Sequence, residues 1–247
     1  MQKSYDDFAK YYDIIYQQKD YEKEVEFIKA ITQEKNISHD SILDVGCGTG
    51  THLLLLKNEF KILYGVDISE KILDIAEKKI PEATFSKGKM EQFKLNIKFD
   101  VITCLYSVFN YNLSMKSAIK TLKNFYLHLK PFGIVIISLY NERKTEKQFS
   151  MHIGKDYETK VAKLNEFKYY PEEKMEKSNH LLLVKDNGDI DFDIEVEDKF
   201  RIYDFEEIKE MVEESSFKGY RLYDNFTFEE AKEDETKYPV LVLKKGG

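Results

Sequence analysis

The chain has 247 residues and carries 38 Lys and Arg against 45 Asp and Glu, which gives a net charge of −7. This length suits one large domain, or a core with a smaller inserted one, and allows a substantial buried interior. The acidic balance lacks the basic footprint of proteins that grip a phosphate backbone, so it argues against a nucleic acid substrate. Two cysteines and five histidines show neither a disulfide framework nor close metal-ligand spacing, so no metal is expected.

The start of the chain and its apolar runs predict a cytoplasmic protein that does not enter a membrane. Residues 1–7 hold no apolar signal region, and the longest apolar run near the middle, residues 134–137, suffices only for a strand. Residues 5–21 are rich in tyrosine and amphipathic, which predicts a helix packed on a neighbouring sheet.

The most specific motif predicts a ligand-binding turn between a strand and a helix. An apolar strand at residues 42–45 leads into residues 46–50, which read Gly-Cys-Gly-Thr-Gly. Glycines let the chain turn sharply and let a ligand approach the main chain with no Cβ in the way. The next helix begins near Thr51, with residues 53–56 expected to face inward, and its N-terminal amides favour a carboxylate or phosphate.

An acidic residue follows in register with that loop. Asp67 ends the second predicted strand, 19 residues (67 minus 48) after Gly48, where a carboxylate can accept hydrogen bonds from both hydroxyls of a ribose. A dinucleotide-binding loop would read G-x-G-x-x-G, and Thr51 stands where its third glycine packs the helix against the strand. The two motifs therefore predict a nucleoside ligand with a free ribose diol and argue against NAD.

The remaining core elements alternate strands with helices. The further predicted helices span residues 70–80, 115–128 and 204–215, and the further strands span residues 83–85, 99–106, 133–140, 220–223 and 238–243. This order predicts a parallel sheet with right-handed crossovers.

An insertion of about 60 residues separates Tyr140 from Tyr203 and is too long and too apolar for an ordinary linker. It predicts a β-rich cap in which a turn at residues 186–188 joins an apolar strand to a strand of alternating character. The apolar side of that second strand, expected to pack, is Ile190, Phe192, Ile194 and Val196. The acidic side, expected to be a solvated edge or else to attract a cationic substrate, is Asp189, Asp191, Asp193, Glu195 and Glu197.

Residues 105–111, after the fourth strand, are the candidate acceptor side, because ligands of open α/β sheets bind beyond the carboxyl ends of the strands. They include aromatic and amide side chains but no carboxylate and no histidine. Tyr111 is predicted to steer a nucleophile by a hydrogen bond rather than to remove its proton, since a tyrosine hydroxyl is a weak base near neutral pH. A purely packing role for Tyr111 is the alternative.

The segment from Ile42 to Ser69 closely resembles the first motifs of class I S-adenosylmethionine-dependent methyltransferases, in Leu-Asp-Val-Gly-Cys-Gly-Thr-Gly at residues 43–50 and Val-Asp-Ile-Ser at residues 66–69. The resemblance implies a Rossmann-like α/β fold whose seven-stranded, mostly parallel sheet has helices on both faces and ends in an edge hairpin. It also implies S-adenosyl-L-methionine as cofactor and S-adenosyl-L-homocysteine as product. The expected division is a cofactor-binding core with an N-terminal helical lid (residues 1–140 and 204–247) and a substrate cap (residues 141–203).

Residues 5–140 are also similar to the amino-sugar N-methyltransferases that act on nucleotide-linked deoxysugars, with much weaker similarity in the cap. The similarity is carried by Tyr5, by Ala-Lys-Tyr-Tyr-Asp at residues 9–13, by Lys-Asp-Tyr at residues 19–21, by residues 43–53 and by Met90. It implies that the N-terminal helices fold over the cofactor, with Tyr12 near its methionine part and Tyr5 near the substrate.

The chain departs from that group at two positions. Tyr111 stands where the relatives have a histidine near the acceptor, and Lys89 stands where they have an aspartate that reads the adenine amino group. Lys89 cannot accept that hydrogen bond. Adenine recognition is therefore expected from main chain near Met90, from Glu91, or from a sandwich between Ile68 and Met90.

These features predict a methyltransferase that moves a methyl group to N or O of a small molecule, with a nucleotide-linked amino or hydroxy sugar favoured. Another small metabolite as acceptor, or a non-catalytic S-adenosylmethionine-binding module, is the alternative. No nucleic acid or membrane partner is expected, and the chain is predicted to be a monomer or homodimer. The predicted catalytic residues are Tyr5 and Tyr111, and the predicted cofactor-binding residues are Tyr12, Asp44, Gly46, Cys47, Gly48, Thr51, His52, Asp67, Ile68, Lys89, Met90, Glu91, Leu105 and Tyr106.

Overall fold

A computed structural model describes residue 6 and residues 8–186 and 189–247, with the backbone alone for residues 189–195. The strands are β1 (Ser41–Val45), β2 (Ile62–Asp67), β3 (Thr84–Lys87), β4 (Phe99–Cys104), β5 (Leu129–Ser138), β6 (Gln148–Asp156), β7 (Thr159–Tyr170), β8 (Met175–Asp186), β9 (Asp189–Arg201), β10 (Tyr220–Asp224) and β11 (Pro239–Lys244). The α-helices are α1 (Tyr12–Ile15), α2 (Tyr21–Glu34), α3 (Thr51–Leu56), α4 (Glu70–Lys79), α5 (Met115–His128) and α6 (Phe205–Glu213). Tyr5, predicted to be catalytic, lies outside the described residues, as do Asn187 and Gly188 of the predicted turn.

The larger sheet has seven strands in the order β10-β11-β5-β4-β1-β2-β3. β1 pairs in parallel with β2 and β4, and the parallel ladder continues to β3 on one side and β5 on the other. At the other edge of this sheet, β11 is antiparallel to both of its neighbours, β5 and β10. The predicted fold class is confirmed. The strand order reverses between β1 and β4, which opens a crevice beyond the carboxyl ends of these two strands.

The central strands form because their apolar runs can be buried on both faces. β1 and β4 are buried along their whole length, as expected for parallel strands covered by helices on both sides. The helices supply that cover with one apolar stripe each; in α6 the stripe is Ile208, Met211 and Val212. Asp204 caps the start of α6 by accepting from the Glu207 amide, which fixes where the helix begins.

Two local details differ from the sequence predictions. Leu53 and Leu56 of α3 are buried, but Leu55 is 38% exposed, since a helix turns about 100° per residue and cannot point four consecutive side chains inward. β5 begins at Leu129, directly after α5, four residues before the predicted start. Lys245 helps to hold that junction, because its Nζ donates to the carbonyl oxygens of Tyr126 and Leu129.

The inserted segment forms a four-stranded antiparallel sheet, β6-β7-β8-β9, which we call the cap sheet. In the β8–β9 ladder the register shifts between Leu182 and Val184, so the pairing is not continuous over the predicted alternating stretch. Side chains 189–195 lie outside the description, and the predicted faces can be compared only from Val196, which is buried, and Glu197, which is exposed. In the described part of the chain, no helix is long and apolar enough to cross a membrane.

The N-terminal segment joins the cap sheet to the core. Its apolar residues, Phe8, Tyr11, Ile15 and Tyr16, pack on one half of the inner face of the cap sheet, against Val161, Leu182, Val184 and Val196. The approach at β6 is close, because a Cβ added to Gly154 would lie 1.7 Å from the Ile14 carbonyl oxygen. The other half of the inner face is polar and faces the crevice.

Candidate active site

The glycine loop after β1 has a backbone that other residues adopt with difficulty. Gly46, Gly48 and Gly50 have φ of +72°, +54° and +80°, in the region that favours glycine. A Cβ on Gly46 would lie 2.4 Å from Cγ1 of Val108, whereas the nearest atoms to a Cβ on Gly48 belong to the Tyr12 ring at 3.7 Å. Gly46 therefore allows close packing against the segment after β4, and Gly48 lies in van der Waals range of the Tyr12 ring.

Asp67 stands at the carboxyl end of β2 beside that loop. Its Oδ2 accepts from the Gly48 amide at 3.0 Å, and its Oδ1 accepts from the Ser69 amide at 2.9 Å. Burial raises the pKa of the Asp67 carboxyl, and the hydrogen bonds from main-chain amides oppose that rise. The carboxylate is thus oriented by backbone and keeps lone pairs directed toward the crevice.

A single cavity of about 680 Å³ lies between the carboxyl edge of the larger sheet and the cap sheet. Its volume is in the range of small-molecule and cofactor sites. The residues predicted from sequence that line it are Tyr12, Gly46, Gly48, Asp67, Ile68, Lys89, Met90, Glu91, Tyr106 and Tyr111. Elements far apart in sequence thus bring most of the predicted set to one chamber.

Four further predicted cofactor-binding residues line a smaller pocket of about 30 Å³ that shares Tyr12, Gly46 and Tyr106 with this cavity: Cys47, Thr51, His52 and Leu105. Three of them have partners within the protein. The Thr51 hydroxyl accepts from the Lys79 ammonium at 3.3 Å. Cys47 is buried under the loop, where its Sγ would lie 2.8 Å from a Cβ on Gly65. His52 contacts Glu24 at 2.6 Å, and Glu24 also pairs with Lys19 at 2.6 Å. These contacts favour a supporting role for His52 beneath the lid.

Asp44, the acid at the start of the glycine motif, is 1% exposed and lies below the loop. Its Oδ1 accepts from the Thr103 hydroxyl at 2.8 Å, while its Oδ2 has no hydrogen-bond partner among the described residues. Burial raises the pKa of the Asp44 carboxyl. A buried carboxylate oxygen without a partner is costly, and Asp44 is not among the residues that line the cavity or the smaller pocket.

The N-terminal segment, predicted to be a lid, is fastened to the glycine loop by a polar cluster. Asp13 accepts from the Thr49 hydroxyl at 2.5 Å and from the Lys79 ammonium at 2.6 Å. On the other side, the Lys163 ammonium donates to the Tyr16 hydroxyl at 2.8 Å, which ties the lid to the cap sheet. Both walls of the cavity are therefore held by the same short segment.

The backbone after β4 is strained where it enters the cavity. Tyr106 and Ser107 have φ of +54° and +62° in succession, a conformation that costs of order 1–3 kcal/mol per non-glycine residue. Strain of this kind is maintained at functional sites, where surrounding contacts fix it. It turns the chain so that the 3-10 helix Val108–Tyr111 carries Tyr111 toward the cap sheet.

The polar half of the cap sheet supplies a set of cavity-lining residues that the sequence analysis missed. They alternate along the strands and line the cavity: Ser150 and His152 on β6, Lys163, Asn165 and Phe167 on β7, Glu176, Ser178 and His180 on β8, and Asp198 and Phe200 on β9. The period of two, as in Glu-x-Ser-x-His at residues 176–180, was the available signal. In the sequence alone, polar residues with this spacing resemble the solvent-exposed face of a strand, because the pairing of the strands is not known.

These side chains form a connected network around Tyr111. The Tyr111 hydroxyl donates to Oδ2 of Asp198 at 3.2 Å, and the same oxygen lies 3.3 Å from Nε2 of His180. His180 contacts Oδ1 of Asn165 through Nδ1 at 2.6 Å. A carboxylate and an imidazole therefore stand beside the predicted catalytic tyrosine, although residues 105–111 themselves contain neither.

Glu176 occupies the end of the cavity near Tyr140 and Lys237. The side chain is 6% exposed, and burial raises its pKa to about 7 against the opposing effects of Tyr140 and Lys237. Glu142, which pairs with Lys237 at 2.8 Å, raises the pKa of Glu176 further by charge repulsion. This carboxyl changes charge near neutral pH, as polar groups of functional sites often do.

A family model described as a methyltransferase domain matches residues 42–133. An uncharacterized methyltransferase from Oceanobacillus iheyensis is 31% identical over 173 residues, which cover 68% of this chain and 80% of that protein. The chain belongs to the methyltransferase family. The family's matched segment contains β1 to β4, the glycine loop, Asp67 and Tyr111, which are the elements of the cavity's core wall.

Two further comparisons bear on this methyltransferase. The dTDP-3-amino-3,4,6-trideoxy-α-D-glucopyranose N,N-dimethyltransferase of Streptomyces venezuelae is 35% identical over 133 residues, covering 53% of this chain and 56% of that protein. The chain thus spans about half the length of this curated relative. A solved S-adenosylmethionine-dependent methyltransferase from Clostridium acetobutylicum superimposes with a TM-score of 0.82 at 24% identity, covering 98% of this chain and 99% of that one. The structural likeness extends through the cap sheet and shows a shared fold.

Proposed function

We propose that this methyltransferase moves a methyl group from S-adenosyl-L-methionine to N or O of a small molecule and releases S-adenosyl-L-homocysteine. The observation that carries the proposal is the continuous cavity, whose one wall is the glycine loop with Asp67 and whose other wall is the polar half of the cap sheet. A donor site and an acceptor site that share one chamber are what a direct transfer between two small molecules requires.

The core wall fits the donor. Asp67 carries oriented carboxylate oxygens for a ribose diol, and Gly48 lines the cavity with main chain that carries no Cβ. The buried, unpartnered Oδ2 of Asp44 favours a nearby cationic group such as the methionine ammonium. When bound, S-adenosylmethionine supplies a methyl group already activated by its sulfonium.

The adenine end of the donor site uses apolar contact rather than an aspartate. Ile68 and Met90 line the same part of the cavity wall as Lys89 and Glu91, and Lys89 has no acceptor for an adenine amino group. Met90 is held in place because its Sδ accepts from the Asn112 amide at 3.1 Å. We propose that Ile68 and Met90 sandwich the ring, with Glu91 or main chain near Met90 as the polar contact.

The acceptor half suits a polar molecule that carries an amine. Its lining combines carboxylates, imidazoles and hydroxyls with the ammonium groups of Lys163 and Lys237, and Asp198 and Glu176 are the carboxyls that can receive an ammonium or hydroxyl. The relative from Streptomyces venezuelae is named for a dTDP-linked amino sugar, and we propose an acceptor of that class. In this proposal residues 1–140 and 204–247 bind the donor, Tyr12 covers it, and residues 141–203 bind the acceptor.

Tyr111 acts in this proposal by hydrogen bonding. Its hydroxyl donates to Asp198, so the tyrosine fixes the carboxylate that faces the acceptor. Transfer needs little more than alignment, exclusion of water and the management of one proton. The lid and the cap sheet provide the first two.

The test is isothermal titration calorimetry with S-adenosylmethionine, followed by a turnover assay for S-adenosylhomocysteine with dTDP-amino sugars and simple amines or alcohols as acceptors. The proposal predicts donor binding and product formation with at least one amino-sugar nucleotide. Binding without product from any acceptor would instead favour a non-catalytic module, and protection of the fold by NAD alone would reject the donor assignment. A cytoplasmic location and a monomeric or homodimeric state accompany the proposal as predictions.

A further inference from the structure

His180 on β8 has its protonation pattern fixed by its neighbours. The Asn165 amide nitrogen donates to the Ser150 hydroxyl at 2.8 Å, so the amide oxygen is the acceptor toward His180. That oxygen lies 2.6 Å from Nδ1 of His180. Nδ1 therefore carries a proton, and Nε2 is the nitrogen free to gain or lose one.

Nε2 has a hydrogen-bond partner in both of its states. It lies 3.2 Å from the Ser178 hydroxyl, which can donate to the neutral ring. It also lies 3.3 Å from Oδ2 of Asp198, which can accept from the protonated ring. This carboxylate oxygen also receives the Tyr111 hydroxyl at 3.2 Å, so it has a second partner when His180 is neutral.

Charged and titratable side chains face His180 from β6, β7 and β9 and from the segment after β4. Burial, the largest effect, and the Lys163 ammonium on β7 lower the pKa of His180, whereas the hydrogen bond with Asp198 on β9 raises it. The balance holds this pKa below its ordinary value. His152 on β6 faces the same space, and burial likewise lowers its pKa. Tyr111 completes the set from the core side. His180 is therefore neutral near pH 7 and able to accept a proton.

We propose that Nε2 of His180 takes the proton that the acceptor loses on methylation, with Asn165 and Asp198 as the positioning residues of this base. The inference rests on the proposed methyl transfer. The acceptor nitrogen forms its bond to the methyl carbon while the carbon–sulfur bond breaks and the electron pair stays on sulfur. The resulting ammonium gives one proton to Nε2, and Asp198 stabilises the imidazolium until the proton leaves to solvent.

The direct test is the pKa of His180 measured by NMR in the uniformly ¹⁵N-labelled chain, with H180Q to assign the signal. D198N removes the carboxylate that favours the imidazolium, so the His180 pKa should fall by about one pH unit or more. The His128 signal provides a control, because that ring is also held by burial but bonds to Asn124 and Leu95 away from the cavity. A His180 pKa that D198N leaves unchanged would overturn the proposed coupling between His180 and Asp198.

Kinetics test the role of the base, with S-adenosylmethionine and dTDP-3-amino-3,4,6-trideoxy-α-D-glucopyranose as probes. H180Q should lower kcat by about 100-fold, remove the rise of kcat with pH and leave donor affinity unchanged. The control H39Q alters a histidine that contacts Thr32, outside the cavity, and should keep wild-type kcat. A wild-type pH profile in H180Q would overturn the inference. No product from the wild-type chain with any acceptor would reject the proposed function and the proton transfer together. An unchanged His180 pKa in D198N would reject only the coupling between His180 and Asp198.

Discussion

The two walls of the cavity differ in how their chemistry is built. On the core wall, one stretch of chain from β1 to the end of β2 supplies the glycine loop and Asp67, and main-chain amides hold the carboxylate. On the cap wall, four strands each contribute one or more side chains, and these side chains hold one another. The comparison teaches that a local, backbone-built site can be read from sequence, whereas a site assembled across strand pairs cannot.

Gly46→Ala should have the largest effect, and it acts on the core wall. The alanine would have to adopt φ of +72°, and its Cβ would lie 2.4 Å from Val108. We therefore expect S-adenosylmethionine affinity to fall by about 100-fold or more, through backbone strain and displacement of the main chain. Calorimetry measures the affinity. Gly219→Ala is the matched control, since nothing lies within 4 Å of that position and its donor affinity should equal the wild type. Intact binding by Gly46→Ala would contradict the backbone-built site.

Glu176→Gln tests the cap wall through stability. Its folded pKa of about 7 lies above the ordinary 4.5, so the folded state binds more protons than the unfolded state between these values. The wild-type free energy of unfolding should therefore fall as pH rises from about 4.5 to about 7, by up to about 3 kcal/mol. Urea denaturation at pH 5 and pH 8 measures this. The Gln variant should lack that fall, whereas Gln at the exposed Glu158 should follow the wild type. Identical pH dependence of stability in all three proteins would contradict the raised pKa of Glu176.

Asp67→Ala separates the two walls by ligand. It should weaken S-adenosylmethionine binding by about 1–3 kcal/mol, through lost hydrogen bonds to a charged acceptor. Asp198→Asn, which changes an aspartate on the other wall, should leave donor affinity within error. Equal losses in the two variants would mean that the donor contacts both walls.

Tyr111→Phe should have the smallest effect. It removes only the hydroxyl that donates to Asp198 at 3.2 Å, so kcat should fall by about tenfold with donor affinity nearly intact. Steady-state assays with the amino-sugar nucleotide measure both quantities. Full activity would assign Tyr111 to packing against Phe200, whose ring centre lies 4.6 Å away.

The sequence predicted the fold class because strand and helix periods alternate clearly and because the loop and Asp67 lie close together in the chain. The antiparallel edge followed only from resemblance, since strand direction depends on pairing between β11 and β5, about 100 residues apart. Bounds shifted where tertiary contacts decide them, as at the start of β5 beside Lys245.

The candidate site was predicted in part. Tyr111 meets Asp198 across 87 residues, and no pattern in residues 105–111 indicates that partner. The Glu24 contact of His52 was equally hidden in the sequence: Glu24 on α2 lies 28 residues earlier and holds Nε2 of the ring at 2.6 Å, while a ligand contact for His52 stays a prediction. Polar residues spaced by two along β7 and β8 have the same pattern whether they face solvent or a cavity, and only the fold distinguishes these cases.

A crystal structure of the chain with S-adenosylhomocysteine and the dTDP-linked amino sugar tests the central claim most directly. The account predicts the ribose of the nucleoside on Asp67 and the sugar amine in the same cavity, between Tyr111 and His180 on the cap wall. A sugar bound outside that cavity, or a nucleoside that does not contact Asp67, would contradict it.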